Sequence, residues 1–211
     1  MVGPGESSVD ILRAHDGVKR VPSPKVEMVI KPNFLTAEHC EELMRLIDLD
    51  RRPSTLADEN GDVAFRTSET CDLKPEDKAV RELEAMLTHF TSIDPAYGEP
   101  LQGQRYEVGQ QFKDHTDWFN PGGQDWEKFC AKSGQRTWTF MIYLNNVEAG
   151  GATRFKMIDK KIQPERGKIV GWNNRNTDGS GNAATLHHAM KVRKGTKYVI
   201  TKWYREAPWR G

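Results

Sequence analysis

The chain has 211 residues, the length of one ordinary domain with room for a sizeable core. Lys and Arg number 31 and Asp and Glu 30, a formal charge of +1, which excludes any global attraction to nucleic acid or anionic lipid. No stretch approaches the roughly 20 apolar residues of a membrane span, and Met1 to Arg20 holds no apolar run of signal-peptide length. The three cysteines, Cys40, Cys71 and Cys130, form no Cys-x-x-Cys pair. Their odd number argues against a disulfide framework and for free thiols in a reducing compartment. The expected location is cytoplasmic.

Residues 1–25 are rich in Gly, Ser, Pro and charge and read as a flexible arm, with a single domain over 26–211. Ile30 to Leu35 is a short apolar entry. Thr36 then caps a helix over about 36–49, with Glu38, Glu41 and Glu42 at its positive end. Its apolar face is Cys40, Leu43, Met44 and Ile47, spaced i, i+3, i+4, i+7. Residues 50–73 are polar, carry the Asn60-Gly61 turn signal, and read as a long loop or mobile hairpin. Pro75 suits the first turn of a second helix over about 75–93, whose stripe is Val80, Leu83, Leu87 and Phe90. From Leu101 the period changes. Short β-like segments follow at Gln104–Val108, Thr137–Leu144, Thr153–Phe155, Lys168–Trp172, Thr185–His188 and Lys197–Tyr204. Strands in series without alternating helices make the fold class mainly β, with two N-terminal helices backing a barrel of jelly-roll type. Asn120-Pro121-Gly122-Gly123 reads as a turn into a short helix around 124–132.

His115-Thr116-Asp117 is the first candidate for chemistry. In extended backbone, residues i and i+2 point the same way, so an imidazole and a carboxylate converge. Two His and one carboxylate on one octahedral face leave three positions open, which suits oxygen activation at iron. Alone the tripeptide reads rather as a surface His beside an Asp. Downstream, His187, Lys197 and Trp203 follow in β-like segments. Lys197 and Trp203 are an even number of residues apart, so an unbroken strand puts both on one face. A Lys there either snorkels to solvent or turns inward to pair with a bound carboxylate.

This ordered set resembles the prolyl 4-hydroxylase-like branch of the 2-oxoglutarate/Fe(II) dioxygenases, over roughly residues 30–206. Gln104 to Phe119 is similar to that family's Tyr-…-Gly-Gln-…-His-x-Asp-x-Phe segment. Arg136 to Asn145 resembles its central strand, and Gly150-Gly151-Ala152-Thr153 its Gly-Gly-x-Thr turn. Leu186 to Val192, with Gly195 and Lys197, resembles its last-ligand segment, and Arg66-Thr67-Ser68 an Arg-x-Ser element of its substrate loop. The resemblance implies a double-stranded β-helix (cupin-like) core over about 101–206. It also implies iron ligands His115, Asp117 and His187, and Lys197 on the distal carboxylate of 2-oxoglutarate. Tyr106, Thr153 and Trp203 would line the same pocket, and Arg66 and Arg136 would contact substrate. Adjacent strand residues face opposite ways, and the family spacing to Gly195 and Lys197 selects His187 over His188. The implied requirements are Fe(II), 2-oxoglutarate and O2, with ascorbate as reductant.

The chain departs from the family where Phe112 replaces a common Tyr, Ala152 a Glu, Lys156 a Pro and Lys191 a Pro. These leave the ligand set intact and bear on substrate. The leading expectation is hydroxylation of proline in a peptide or protein, with release of succinate and CO2. The alternatives are a free amino acid or other small metabolite as substrate, or a metal-binding jelly-roll sensor without catalysis. The near-neutral charge gives a nucleic-acid substrate little support, and no membrane partner is expected.

Overall fold

The computed structural model describes residue 3 and residues 5–54, 65–123 and 126–211. In chain order its elements are α1 (Val9–Arg13), β1 (Lys19–Arg20), β2 (Met28–Lys31), α2 (Ala37–Leu49), β3 (Arg52–Pro53), β4 (Glu69–Asp72), α3 (Lys78–Thr91), β5 (Gln102–Tyr106) and β6 (Phe112–His115). Then come α4 (Trp126–Cys130), β7 (Arg136–Tyr143), β8 (Ala149–Gly150), β9 (Thr153–Phe155), β10 (Lys160–Ile162), β11 (Ile169–Asn173), β12 (His187–Ala189), β13 (Val192–Lys194) and β14 (Lys197–Arg205). Three one-turn 3-10 helices fill connections, one of them Ala183–Thr185 just before β12. The Asn60-Gly61 turn and the start of the helix expected around 124–132 lie outside the described residues.

The strands form a large sheet, β1-β2-β11-β7-β14-β5-β4-β3, a small sheet, β10-β9-β12-β6, and the separate pair β13-β8. Two facing antiparallel sheets with helices behind one of them make the jelly-roll architecture that the run of short strands implies. β7 shows why its sequence is apolar almost throughout. Trp138, Phe140 and Ile142 point into a core shared with Leu43, Ile47, Leu83, Leu87 and Phe90 of α2 and α3. Met141 and Tyr143, on the other face, join Phe155, Trp172, Ala189 and Val199 between the sheets. A strand covered on both faces loses the in/out alternation of a half-exposed one.

Both long helices present one face to this core. Thr36 Oγ1 accepts from the His39 amide (3.2 Å) to start α2, and Ser92, with φ 56°, ends α3 in the left-handed region. Each buried leucine on these faces contributes about 1.5–3 kcal/mol. α2 approaches β5 so closely that a Cβ on Gly103 would lie 2.4 Å from Ile47 Cγ1.

Residues 5–25 are not the flexible arm that the composition of 1–25 suggests. Ser8 caps α1, whose Val9 and Leu12 are buried. β1 extends the large sheet beside β2. Thr137 Oγ1 and Trp138 Nε1 donate to the carbonyls of Gly5 (2.5 Å) and Ser7 (3.1 Å). Composition misleads here because a few apolar residues in the right places, with backbone carbonyls as acceptors, are enough to dock a short segment.

Candidate active site

His115 ends β6 and His187 begins β12, and the register of these two strands sets them directly opposite each other. Their rings lie 4.3 Å apart, centroid to centroid. Asp117 follows after β6 has ended and returns to the same side. Ligating atoms of all three fall within 4.8 Å of one another. Both imidazoles have a fixed tautomer. Nδ1 of His115 lies 2.8 Å from the Lys113 carbonyl and Nδ1 of His187 2.9 Å from the Thr185 carbonyl. A carbonyl only accepts, so each Nδ1 carries the proton and each Nε2 presents a lone pair. Asp117 Oδ2 accepts from Thr139 Oγ1 at 2.8 Å, which leaves Oδ1.

The electrostatics agree with a metal-ligating set. Burial, with His187 beside it, pushes His115 down to about 3, and burial lowers His187 as well. Burial alone would raise Asp117, but the two histidines and Arg136 hold it below its ordinary value. The site therefore offers two neutral imidazoles and one carboxylate. Aromatic rings wall it: Phe112 stacks on His115 (3.6 Å, 12° between planes), Phe155 on His187 (5.1 Å), and Trp172 meets His187 edge-on (5.0 Å).

Next to the triad, β14 sends Lys197, Val199, Thr201 and Trp203 into the same cavity, with Tyr106 and Thr153 on its walls. Lys197 pairs in register with Tyr106 of β5 and is 1 % exposed. Its Nζ sits 4.9 Å from the Tyr106 ring and 5.5 Å from that of Tyr143. Burial alone pushes it down to about 7, and no carboxylate among the described residues pairs with it. Two buried indole N–H groups on the cavity wall, those of Trp172 and Trp203, also lack a partner there.

The sequence profile of the 2OG-Fe(II) oxygenase superfamily matches residues 101–205. Probable prolyl 4-hydroxylase 9 of Arabidopsis thaliana is 30 % identical over 198 residues, which are 83 % of this chain and 67 % of the relative. Prolyl 4-hydroxylase 5 of the same plant is 32 % identical over 202 residues, with 83 % and 67 % covered. The chain belongs to the prolyl 4-hydroxylase-like 2-oxoglutarate/Fe(II) oxygenases. Among solved structures, the viral collagen prolyl hydroxylase of Paramecium Bursaria Chlorella virus-1 in its 2OG complex shares the fold. Its TM-score is 0.66 at 24 % identity, covering 84 % of this chain and 95 % of that one.

The residues of this oxygenase fit the groups its family uses. Two neutral imidazoles and a carboxylate, with open positions around them, match a non-haem Fe(II) site. A buried ammonium and indole N–H donors that find no partner among the described residues match an anionic cosubstrate. Arg66 lines that cavity, with its guanidinium 4.9 Å above the Phe112 ring. It donates to Ser68 Oγ (3.2 Å), Thr70 Oγ1 (3.1 Å) and Gln102 Oε1 (3.1 Å).

Arg136, the other residue expected to contact substrate, is held by Glu99. It forms a bidentate pair with buried Glu99 (2.6 and 2.8 Å), stacks 4.0 Å over the Trp203 ring, and sets Nη1 3.5 Å from the Asp117 carbonyl. A guanidinium buried this deeply is stable only with a carboxylate against it. His188 faces away from the triad and meets Asp114 (3.0 Å), which Lys156 also holds (2.5 Å). Sequence reasoning missed Glu99, Thr139 and Asn174. Thr139 carries one readable signal, a hydroxyl at an inward position of a strand covered on both faces, which requires a polar partner. No helix of the described residues is long and apolar enough to cross a membrane.

Proposed function

We propose that His115, Asp117 and His187 hold Fe(II), that Lys197 anchors the distal carboxylate of 2-oxoglutarate, and that the enzyme hydroxylates a prolyl residue in a peptide or protein. The observation that carries the site assignment is the buried Lys197, with no carboxylate partner among the described residues, in one cavity with the triad. The prolyl substrate rests on the plant relatives, which are named prolyl 4-hydroxylases. Bound here, Fe(II) and 2-oxoglutarate supply the oxidation: one atom of O2 enters a C–H bond as hydroxyl and the other enters succinate, with loss of CO2.

The chain does the rest by placement. The fixed tautomers of His115 and His187 aim Nε2 at the metal. Asp117 as third ligand leaves no position for a halide, which favours hydroxylation over halogenation. Lys197, kept or made protonated by the incoming dianion, neutralises its far end and sets its direction. Tyr106, Thr153 and Trp203 line that end, and Tyr143 donates to Thr153 (2.8 Å) to hold the Thr side chain in place. Phe112, Phe155 and Trp172 keep water from the metal side. Arg66, stacked on Phe112, is the proposed substrate contact.

The test is succinate formation by purified protein with Fe(II), ascorbate and air, with and without proline-containing peptides, and with His187→Ala alongside. Peptide-stimulated turnover that the variant lacks is the expected result. Turnover that peptides do not raise would replace the prolyl substrate by a small molecule. Turnover undiminished in the variant would overturn the ligand set.

A further inference from the structure

Asp117 is the one member of the triad outside the strand ladder: β6 ends at His115 and β12 holds His187. No sheet register orients its carboxylate. What holds it is a chain of two hydrogen bonds that starts on the opposite sheet. Thr139 Oγ1 lies 2.8 Å from Asp117 Oδ2, and Asn174 Nδ2 lies 2.8 Å from Thr139 Oγ1.

The direction of donation is forced. A hydroxyl has one proton, an ionised carboxylate only accepts, and an amide N–H only donates. Thr139 must therefore give its proton to Asp117, and Asn174 must donate to the Thr139 oxygen. The opposite amide orientation would set a second acceptor against the same proton. The present orientation leaves Asn174 Oδ1 buried without a partner, a condition that few buried acceptors tolerate. Thr139 and Asn174 are both fully buried. Trp172 of β11 and Trp203 of β14 flank Thr139 in register, so water does not compete for its hydroxyl. Asn174 is itself pinned: its amide donates to the Thr137 carbonyl and its carbonyl accepts from the Asn182 amide, both at 2.8 Å.

We propose that Thr139 and Asn174 are positioning residues that hold Asp117 as a one-oxygen metal ligand. With Oδ2 tied to Thr139, Oδ1 is the oxygen left for the metal. An ion held so would keep three positions open, room for a chelating 2-oxoacid and O2. A carboxylate freed from Thr139 can swing or bind through both oxygens, which takes one of those positions. This inference rests on the ligand assignment proposed above.

The test is Co(II) binding to the metal-free protein without cosubstrate, followed by the visible absorption of the bound ion. His187→Ala, Thr139→Val, Thr139→Ser and Asn174→Ala are compared with the parent protein, each first checked for an unchanged near-ultraviolet circular dichroism spectrum. Thr139→Val, which keeps the shape and removes the hydroxyl, is expected to weaken Co(II) binding by about 10- to 100-fold and to change its absorption spectrum. Thr139→Ser should restore both, and Asn174→Ala should fall between. If His187→Ala abolishes binding while Thr139→Val binds like the parent protein, the positioning role is overturned and the ligand set stands. Thr139→Ser as weak as Thr139→Val assigns the loss to packing and overturns it too. Co(II) binding undisturbed by His187→Ala removes the ligand assignment itself.

Discussion

Replacing Lys197 by Met is predicted to stabilise the metal-free protein while abolishing its use of 2-oxoglutarate. Burial takes Lys197 from an ordinary 10.5 to about 7. At about 1.4 kcal/mol per tenfold change in proton affinity, keeping that ammonium charged costs the folded state about 4–5 kcal/mol, an upper figure that any water reaching Nζ reduces. The unfolded chain keeps this proton up to pH 10.5, and the folded chain releases it above about 7. Between those values the unfolded state binds more protons, so wild-type stability rises with pH across that window. Met has a similar length, no charge, and an adaptable thioether that packs well against the rings of Tyr106 and Tyr143. The gain from Lys197→Met should therefore be a few kcal/mol at and below pH 7 and vanish as pH nears 10.5. Urea unfolding of both proteins across that range measures it, and succinate release measures the lost function. A variant no more stable than the parent protein at pH 7 would refute the reasoning, because Lys197 would then already have water or a carboxylate as partner in the free enzyme.

The same group predicts a pH-dependent affinity: above about pH 7, 2-oxoglutarate must bring a proton with it, so its dissociation constant should rise about tenfold per pH unit, as calorimetric titration at several pH values would show. Glu99→Gln leaves the buried Arg136 and Arg205 without their shared carboxylate and should cost about 3–5 kcal/mol in denaturant unfolding; a loss within experimental error would show that these guanidinium groups are hydrated. Burial opposes ionisation of Glu99, but Arg136 and Arg205 hold it below its ordinary 4.5. Its contribution is thus intact above pH 4.5 and should disappear as pH falls through the lower folded value. Gly103→Ala sets a methyl 2.4 Å from Ile47 Cγ1 and should cost about 1–3 kcal/mol, part of it recovered by Ile47→Val; no recovery in the double variant would mean that the helix shifts instead.

What the sequence revealed depended on how local each cue was. Both long helices and the β14 face were legible because their signals repeat within one element: Leu83, Leu87 and Phe90 at helical spacing, Lys197 and Trp203 at even spacing. The surroundings of Arg136 were not legible, for the opposite reason. Its partner Glu99 stands 37 residues away in an irregular segment, and nothing local distinguishes a guanidinium that binds substrate from one that binds Glu99. The docked N-terminus was hidden in the same way, since its acceptors are backbone carbonyls, which leave no trace in residue type. Composition was weakest there, where a few buried side chains, Val9, Leu12 and Val21 among them, decide the outcome.

The site lies in the gap between two sheets of unequal support, and this makes the few bonds across the gap decisive. The side proposed for the cosubstrate, with Tyr106, Lys197 and Trp203, belongs to the large sheet, which α2 and α3 back with a continuous apolar core. Both histidines sit on the four-stranded sheet, whose outer row, Lys161, Arg154 and His188, runs from exposed to half-buried. Among the side-chain hydrogen bonds that reach across are Tyr143 to Thr153 on the Lys197 side and Thr139 to Asp117 at the triad. Hydrophobic packing between the sheets sets their separation but is non-directional, so it cannot by itself hold a carboxylate or a threonine hydroxyl at one angle. Directional placement of the reacting groups must come from these bonds, which are buried and hence free of competing water. The donors of both, Thr139 and Tyr143, stand on β7, the strand covered on its two faces and flanked by β11 and β14. The least movable strand of the fold thus fixes the angular geometry of a site whose histidines ride on the smaller sheet.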